Sequence, residues 1–270
     1  MRRIIRKATH FIFGIIWISI GKSPKVIYFA GMRRSGNHAC INWLANSIYG
    51  EKVGYKQLQH YLFRQFPGNK IFFINSYAQE SALSVFKFVL KYRKQIRNCE
   101  YLFLSLEDEP PQFSHFLQRA NNQTGAIKIH INRSVFNMLS SRSKKIAVDE
   151  AKEGRGIASN FAVSGDLIKG LFDYRRSDFI QWEYDQWLIS PEWRKDFLNS
   201  IGLSNDIIPD MSIEAGGSSF TAGSKEKLNI SGRSRYKIQA IPEAWLKIVE
   251  DNYKNELTPE EQQHLLEIRS

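Results

Sequence analysis

A glycine-bounded loop between a strand-like and a helix-like segment has the composition of an anion-binding site. The segment VIYFAGMRRSGNHACINWL starts with an apolar run at Val26, turns at Gly31 and Gly36, and continues with a helical pattern. Glycines allow a tight turn whose backbone N–H groups point inward, and the positive end of the following helix favours an anion. The sequence therefore predicts that residues 31–36, the glycine loop, bind a phosphate-like group.

The glycine loop lacks the two side chains with which nucleotide triphosphatases bind phosphate and magnesium. The pattern GxxxxGK[ST] puts a Lys on the phosphates and a Ser or Thr on the metal, whereas Asn37 and His38 occupy those places here. The positive charge comes earlier, from Arg33 and Arg34, whose guanidinium groups can hold a phosphate or sulfate without a metal. We therefore expect an anion site that uses no metal ion.

A second basic position follows another strand-like run. The run AIKIHIN leads into Arg133, and the helical pattern after it contains Ser141, eight residues later. In an open α/β sheet the carboxyl ends of the strands meet at the ligand crevice, so Arg133 should lie at the same edge as the glycine loop. A single Arg after a strand more often forms a structural ion pair, and its spacing to Ser141 is what favours a binding role.

Apolar runs that resemble buried strands alternate with helical patterns along the chain. The strand-like runs are 25–30, 70–75, 100–106 and 126–131, and the helical patterns are 37–49, 80–97, 111–120 and the residues from 135 onward. This alternation predicts an α/β fold, a P-loop-type three-layer sandwich with a central parallel sheet flanked by helices. The aromatic and charged segment 154–203 is expected to form a helical layer on the sheet. No sharp boundary occurs, so 23–270 is expected to be a single domain.

The N-terminal segment, residues 1–22, is first basic and then apolar. Its apolar part is too short to cross a bilayer, and no cleavage site of the A-x-A type follows it. The segment could lie in a membrane interface or dock on the domain, and both alternatives stay open. The two cysteines disfavour a disulfide framework and a structural zinc site. We expect a cytoplasmic protein, with peripheral membrane contact through residues 1–22 as the open alternative.

The composition indicates a folded domain with anionic partners. Hydrophobic residues make up 43% of the 270 residues, which is enough for one large core, and the formal net charge is +11. A nucleotide, an acidic glycan, a lipid headgroup and a nucleic acid would all match this charge, so charge alone does not choose among them.

Two of these segments together resemble the sulfotransferases. GMRRSGNHACINWL is similar to the loop that binds the 5′-phosphosulfate group in that family, and INRSVFNMLSSR is similar to its 3′-phosphate motif, an Arg followed by a Ser eight residues later. The two segments also occur in the family's order, about a hundred residues apart. The resemblance implies a P-loop sulfotransferase fold, the co-substrate 3′-phosphoadenosine 5′-phosphosulfate and no metal.

The resemblance also implies roles for individual residues. Arg34 takes a place that many sulfotransferases fill with Lys, although the tyrosylprotein branch resembles this chain in its Arg-Ser-Gly run. Because Arg cannot donate a proton at neutral pH, its role would be to hold the sulfuryl and bridging oxygens while the leaving phosphate gains charge. Arg133 and Ser141 would bind the 3′-phosphate. The residues expected at the 5′-phosphate are Arg33, Arg34, Ser35, Gly36, Asn37 and His38, of which the last two replace a common Thr pair.

Carboxylates that follow the strand-like run YLFLSL are the candidates for a general base. Sulfuryl transfer needs a base to take the proton of the acceptor, and Glu107 and Asp108 should lie at the same crevice edge as the glycine loop. We favour Glu107, followed by Asp108 and then His115. Capping of the next element, or an ion pair with a nearby Arg, explains the two acids equally well.

A long loop near the end of the chain resembles the sulfotransferase segment that closes over the donor. Residues 214–237 concentrate Gly, Ser, Lys and Arg, a composition that disfavours regular structure. Within this segment Arg233 and Arg235 would hold the 3′-phosphate.

The sequence thus predicts a sulfotransferase that acts on a hydroxyl or amine of a carbohydrate, lipid or protein by in-line displacement. One alternative is a P-loop nucleotide kinase or other phosphotransferase, against which the missing Lys and Ser/Thr count strongly. Another is a non-enzymatic basic protein whose association with anionic lipid or polynucleotide is steeply salt-dependent. For the sulfotransferase, no specific nucleic acid is expected as a partner.

Overall fold

A mostly parallel seven-stranded sheet organises the part of the chain that the structure describes. The computed structural model describes residues 24–58, 63–75, 82–114, 125–153, 162–209, 236–237 and 239–270. The strands are β1 (Lys25–Gly31), β2 (Lys56–Gln57), β3 (Phe63–Gln65), β4 (Ile71–Ile74), β5 (Tyr101–Glu107), β6 (Ile127–Asn132) and β7 (Ile180–Glu183). Their order is β2-β3-β4-β5-β1-β6-β7, with β4, β5, β1, β6 and β7 parallel and the short β2 and β3 antiparallel at one edge.

Helices lie on both faces of the sheet. They are α1 (Asn37–Tyr49), α2 (Ala82–Asn98), α3 (Val135–Glu153), α4 (Gly165–Arg175), α5 (Tyr184–Ile189), α6 (Pro191–Ser200), α7 (Glu243–Tyr253) and α8 (Pro259–Arg269). Two short 3₁₀ turns occur at Pro67–Asn69 and Lys254–Glu256. The predicted α/β fold with a parallel sheet between helical layers is confirmed.

The central strands are buried on both faces, which explains why they read as continuous apolar runs. In β1, Tyr28 faces a core cluster that includes Ile96 of α2, whereas Phe29 faces a cluster that includes Trp43 of α1. A third cluster joins α3, α4, α7 and α8. The sheet is therefore held from two sides, and its strand ends have a fixed relative position.

The predicted elements agree with the structure at most positions, and one prediction is wrong. The strand-like runs 100–106 and 126–131 correspond to β5 and β6 within one residue, and α1 has the predicted bounds. Within 154–203, however, Ile180–Glu183 forms strand β7 instead of continuing the helical layer. This segment pairs in parallel with β6, and a four-residue run is too short for its period to separate strand from helix.

Several predictions concern residues outside the described ranges. These are the N-terminal segment 1–22, positions 115–120 of the helical pattern 111–120 with His115, and most of the loop 214–237 with the basic positions Arg233 and Arg235. Among the helices that are described, none combines the length and the apolar character that crossing a membrane requires. The cytoplasmic location and the membrane contact stay predictions.

Candidate functional site

Three strand ends meet at the carboxyl edge of the sheet. β1 lies between β5 and β6, and Gly31 at its end is level with Glu107 of β5. On the other side Ala30 is level with His130 of β6, two residues before Asn132 ends that strand. The chain passes from β5 on one side of β1 to β6 on the other side. In open α/β sheets, ligands bind at the carboxyl edge where the strand order switches sides in this way.

The glycine loop turns tightly and leads directly into α1. Arg34 has a φ of 76° and Gly36 a φ of 117°, so two of its residues adopt left-handed conformations. A Cβ atom on Gly36 would lie 2.4 Å from Cδ2 of Tyr184, which shows that the loop packs on this ring. Gly36 therefore meets two requirements, a positive φ and close packing, that only glycine satisfies.

The amino end of α1 carries polar groups suited to an anion. Gly36 offers no side-chain cap, and no acidic residue occupies the first turn of this 13-residue helix. Ser35 is fully buried, and its Oγ has no hydrogen-bond partner within the described ranges. Uncapped N–H groups, the helix dipole and a buried hydroxyl donor together fit a phosphate or sulfate group.

The glycine loop and the start of α3 are in direct contact. Arg34 donates from Nε to Oγ of Ser141 over 3.3 Å, and Arg133 donates from Nη1 to the carbonyl oxygen of Arg34 over 3.2 Å. The guanidinium of Arg133 also lies 4.4 Å from the centre of the Tyr184 ring. Ser141 is fully buried and Arg133 nearly so. The fold thus brings together the two segments that the sequence singled out.

Glu107 faces the amino end of α1. Its Oε1 accepts a 2.9 Å hydrogen bond from Nδ2 of Asn37, and its Oε2 lies 3.8 Å from Nε of Arg33. The side chain is mostly buried. This carboxylate therefore lies next to the glycine loop, where the sequence predicted it.

His38 also lies in this region and is held in its neutral form. Burial lowers its pKa; Glu107 opposes this shift, while Arg64 and Arg34 reinforce it. Nη1 of Arg64 lies 3.5 Å from its Nδ1. A neutral imidazole can offer one N–H donor to an anion and carries no charge of its own.

Asp108 holds the backbone of the glycine loop through a buried ion pair. Its Oδ1 accepts hydrogen bonds from the N–H of Arg33 and from Nη1 of Arg142, each over 2.9 Å. Arg142 is fully buried and also donates to the carbonyl oxygen of Arg33 over 3.3 Å. Asp108 itself has a φ of 59°, at the turn that ends β5. For Asp108, the sequence left open either a role as general base or an ion pair with a nearby Arg, and the structure contains the ion pair.

Arg142 was not predicted as a site residue. It directly follows Ser141 on a helix, and its partner is 34 residues earlier in the chain. Its position in the sequence could have indicated this role, because a residue next to Ser141 in α3 also lies near the glycine loop.

Replacing Arg142 by alanine should lower the free energy of unfolding by about 3 kcal/mol or more. The change removes one partner of a buried ion pair and leaves Asp108 without its main counter-charge. Urea denaturation of the wild type and the variant, followed by circular dichroism, measures this loss.

The matched control is Arg176→Ala. Arg176 also binds two carboxylates, but its side chain is 53% exposed, so its loss should cost less than about 1 kcal/mol. Equal losses for the two variants would show that the Asp108–Arg142 pair adds nothing to stability beyond a surface ion pair.

A second buried network fixes the start of α3. Glu261 of α8 accepts from the N–H of Val135 over 2.7 Å and binds two nitrogens of Arg175. Burial would raise the pKa of Glu261, but the hydrogen bonds and charge of Arg175 lower it. Arg175 also donates to Oδ1 of Asn132 over 3.0 Å and to the carbonyl oxygen of Arg133 over 3.3 Å. Side chains from α4 and α8 thus fix the backbone at Arg133 and at the start of α3.

A cleft of about 980 Å³ opens beside the glycine loop. It lies between the segment that follows β5, residues 108–113, and the helix α4. Gly31 and Met32 contribute to its wall, and so do Asp108 and Arg142. The cleft therefore borders the first two residues of the glycine loop.

A scan against protein-family models and a search of curated proteins both found no match for this chain. Among the residues with described positions, no group of three or more His, Cys, Asp and Glu side chains could hold a metal ion.

Proposed function

We propose that this chain is a sulfotransferase that uses 3′-phosphoadenosine 5′-phosphosulfate. The observation that carries the proposal is the contact between Arg34 of the glycine loop and the Arg133–Ser141 segment at one edge of the sheet. A donor with phosphate groups at both ends of its ribose needs two anion sites about one nucleotide apart. The glycine loop and the Arg133–Ser141 segment are two basic segments that touch at the carboxyl edge of the sheet, next to β1, and together they could provide both sites.

The donor's two ends would be held by different elements. The N–H groups of the glycine loop and of α1, with Ser35, Asn37 and His38, would bind the 5′-phosphate. Arg133 and Ser141 would bind the 3′-phosphate, together with Arg233 and Arg235. The 3.3 Å contact from Nε of Arg34 to Oγ of Ser141 is slightly longer than a usual hydrogen bond of about 2.7–3.2 Å, so a bound anion can replace it.

Transfer would proceed by one in-line displacement. The acceptor oxygen or nitrogen forms a bond to sulfur while the bond from sulfur to the bridging phosphate oxygen breaks. Glu107 takes the proton that the acceptor loses, and Arg34 holds the oxygens on which negative charge collects. Arg33 and the Asp108–Arg142 pair keep the loop in the required shape. The acceptor is a hydroxyl or amine of a carbohydrate, lipid or protein.

Calorimetric titration with 3′-phosphoadenosine 5′-phosphate tests the proposal directly. We expect binding that persists when magnesium is chelated, because no metal takes part. Absence of binding would sink the proposal. Binding of ATP that disappears on chelation would instead support the phosphotransferase alternative, and selective binding to polynucleotide or anionic vesicles would support the non-enzymatic one.

Replacing Arg133 by alanine should weaken binding of the same nucleotide by roughly tenfold to a hundredfold. A hydrogen bond to a charged group contributes about 1.5–3 kcal/mol, and the variant loses the guanidinium that would meet the 3′-phosphate. Calorimetry gives the affinity, and the turnover rate at saturating donor should change much less.

Arg133→Lys serves as the comparison for this prediction. It keeps the positive charge but loses the planar pair of donors, so it should recover part of the lost affinity. Unchanged affinity in Arg133→Ala, with the folded state intact by circular dichroism, would rule out the 3′-phosphate role.

A further inference from the structure

The exposed side of helix α2 is strongly basic. Its sequence, ALSVFKFVLKYRKQIRN, contains five cations and no Asp or Glu. The side chains of all five cations are exposed. They form the basic face of α2, which consists of Lys87, Lys91, Arg93, Lys94 and Arg97. The 17 residues of this helix therefore contribute five of the net +11 charges of the chain.

The segments around α2 add to its charge and do not balance it. Residues 53–99 contain eight Lys and Arg residues and a single acid, Glu80. These residues include the edge strands β2 and β3, the strand β4 and the helix α2. One edge of the sheet, with the helix beside it, therefore carries a concentrated positive charge.

Exposed cations on another helix are matched by carboxylates, unlike those of α2. On α4, Lys169 binds Asp173 four residues later over 2.7 Å. On α2, Lys87 is followed four residues later by Lys91, and three further pairs of the basic face have a spacing of three or four residues. Like charges at these spacings repel each other. An anionic partner would relieve that repulsion, whereas water and salt only screen it.

An apolar side chain lies among these cations. Leu90 is 40% exposed. It comes three residues after Lys87 and four before Lys94, so the three side chains share one side of the helix, and Arg97 continues that side. Ile96 is buried in the core cluster beneath the helix. Cations around an exposed apolar side chain are typical of a helix that lies on an anionic membrane surface.

Most of the basic face is far from the edge of the sheet that carries the glycine loop. Because β4 and β5 are parallel, α2 runs back from the carboxyl edge to the amino edge. At its far end the N–H of Glu100 donates to the carbonyl oxygen of Lys70, directly before β4, over 3.0 Å. At about 1.5 Å per residue, Arg97 is about 22 Å along the helix from Ala82. A surface that contacts the side of α2 therefore need not cover the proposed donor site.

We propose that the basic face of α2 docks this protein on an anionic lipid surface. The cations bind the phosphate and carboxylate groups of the lipid headgroups, and Leu90 enters the boundary between headgroups and acyl chains. A polynucleotide would match the charges equally well but would give Leu90 no apolar surroundings. The contact is separate from any that residues 1–22 make, and it does not depend on the proposed transfer reaction.

Co-sedimentation of the full chain with phosphatidylcholine vesicles, with and without phosphatidylglycerol, tests the inference. We expect binding to the anionic vesicles only, and it should weaken as salt is added. Replacing Lys87, Lys94 and Arg97 together by Gln should weaken this binding by roughly a hundredfold, because each cation near such a surface contributes about fivefold. Glutamine is a good helix former, so α2 should stay folded, which circular dichroism checks.

The matched control removes three exposed charges elsewhere. Lys195, Lys247 and Lys254, on α6, α7 and the 3₁₀ turn after it, are replaced together by Gln. This variant has the same net charge as the α2 variant and should lose much less binding. Equal losses would show that the net charge, and not the basic face of α2, attracts the vesicles. A wild type that does not bind anionic vesicles, or an α2 variant that binds as well as the wild type, would overturn the inference.

Leu90→Gln distinguishes a lipid surface from a polynucleotide. It should weaken binding to the anionic vesicles by about threefold to tenfold, because a partly buried leucine side chain is lost, and it should leave binding to polyuridine unchanged. Leu266→Gln, at a 66% exposed position of α8, should alter neither. Vesicle binding by Leu90→Gln equal to that of the wild type, or wild-type binding to polyuridine that is tighter than to vesicles, would show that the partner is not lipid.

The two proposals fail in different measurements. Affinity for 3′-phosphoadenosine 5′-phosphate should be the same in the wild type and in every α2 variant, since none of the substituted residues belongs to the proposed donor site. Vesicle binding without nucleotide binding would refute the sulfotransferase function and leave the inference on α2 standing. Nucleotide binding without vesicle binding would do the reverse.

Discussion

Replacing Arg34 by alanine should lower kcat by about a hundredfold to a thousandfold. Removing one group that stabilises developing negative charge typically costs this much, and the guanidinium of Arg34 lies at the junction of the two proposed phosphate sites. Single-turnover transfer from radiolabelled donor measures the chemical step. Affinity for the desulfated nucleotide should fall less than kcat, since the charge builds up mainly in the transition state.

Arg34→Lys is the matched comparison for this experiment. The residue has a φ of 76°, a strained conformation that Arg, Lys and Ala share because each carries a Cβ atom. Differences among the wild type and the two variants therefore report the side chain and not the backbone. Lys should restore part of the rate because it keeps a positive charge. A kcat for Arg34→Ala within threefold of the wild type would place the stabilising group elsewhere.

Replacing Glu107 by glutamine should lower kcat by about a hundredfold to ten-thousandfold while leaving donor affinity nearly unchanged. A general base contributes about this factor, and glutamine cannot accept the proton of the acceptor. The amide oxygen of the new side chain can still accept the hydrogen bond from Asn37, so the local structure should survive. Steady-state transfer and calorimetry on the same preparation separate the two effects.

The comparison variant for Glu107 is Asp108→Asn. Asp108 binds Arg142 and the N–H of Arg33, so its change should appear first in the unfolding transition. If Asp108→Asn abolishes transfer in a fully folded protein and Glu107→Gln does not, the base is Asp108. If neither variant affects transfer, the base lies outside this pair.

The elements with local signals were predictable from the sequence. The run from β1 through the glycine loop to α1 was predicted almost to the residue, because a buried strand, two glycines and a helical pattern are all contained in about 25 consecutive positions. Arg133 and Glu107 each lie at or just after the end of a predicted parallel strand. Because the carboxyl ends of parallel strands lie at the same edge of a sheet, the sequence also predicted that these two residues are near each other.

The contacts that hold the site were not predictable in the same way. Arg142 reaches Asp108 across 34 residues, and Arg175 reaches Glu261 across 86, so nothing in the local pattern indicates either pair. Strand β7 was missed for a related reason: its four residues become a strand through pairing with β6. The cleft is likewise lined by segments far apart in the chain, which only the fold brings together.

Tyr184 connects the two ends of the proposed donor site. Its ring is in contact range of any side chain at Gly36 and lies under the guanidinium of Arg133. One aromatic ring at the start of α5 is therefore close to both segments to which the proposal assigns the 5′- and 3′-phosphates. If the proposal holds, the distance between the two phosphate positions depends on a side chain that belongs to neither of the two motifs.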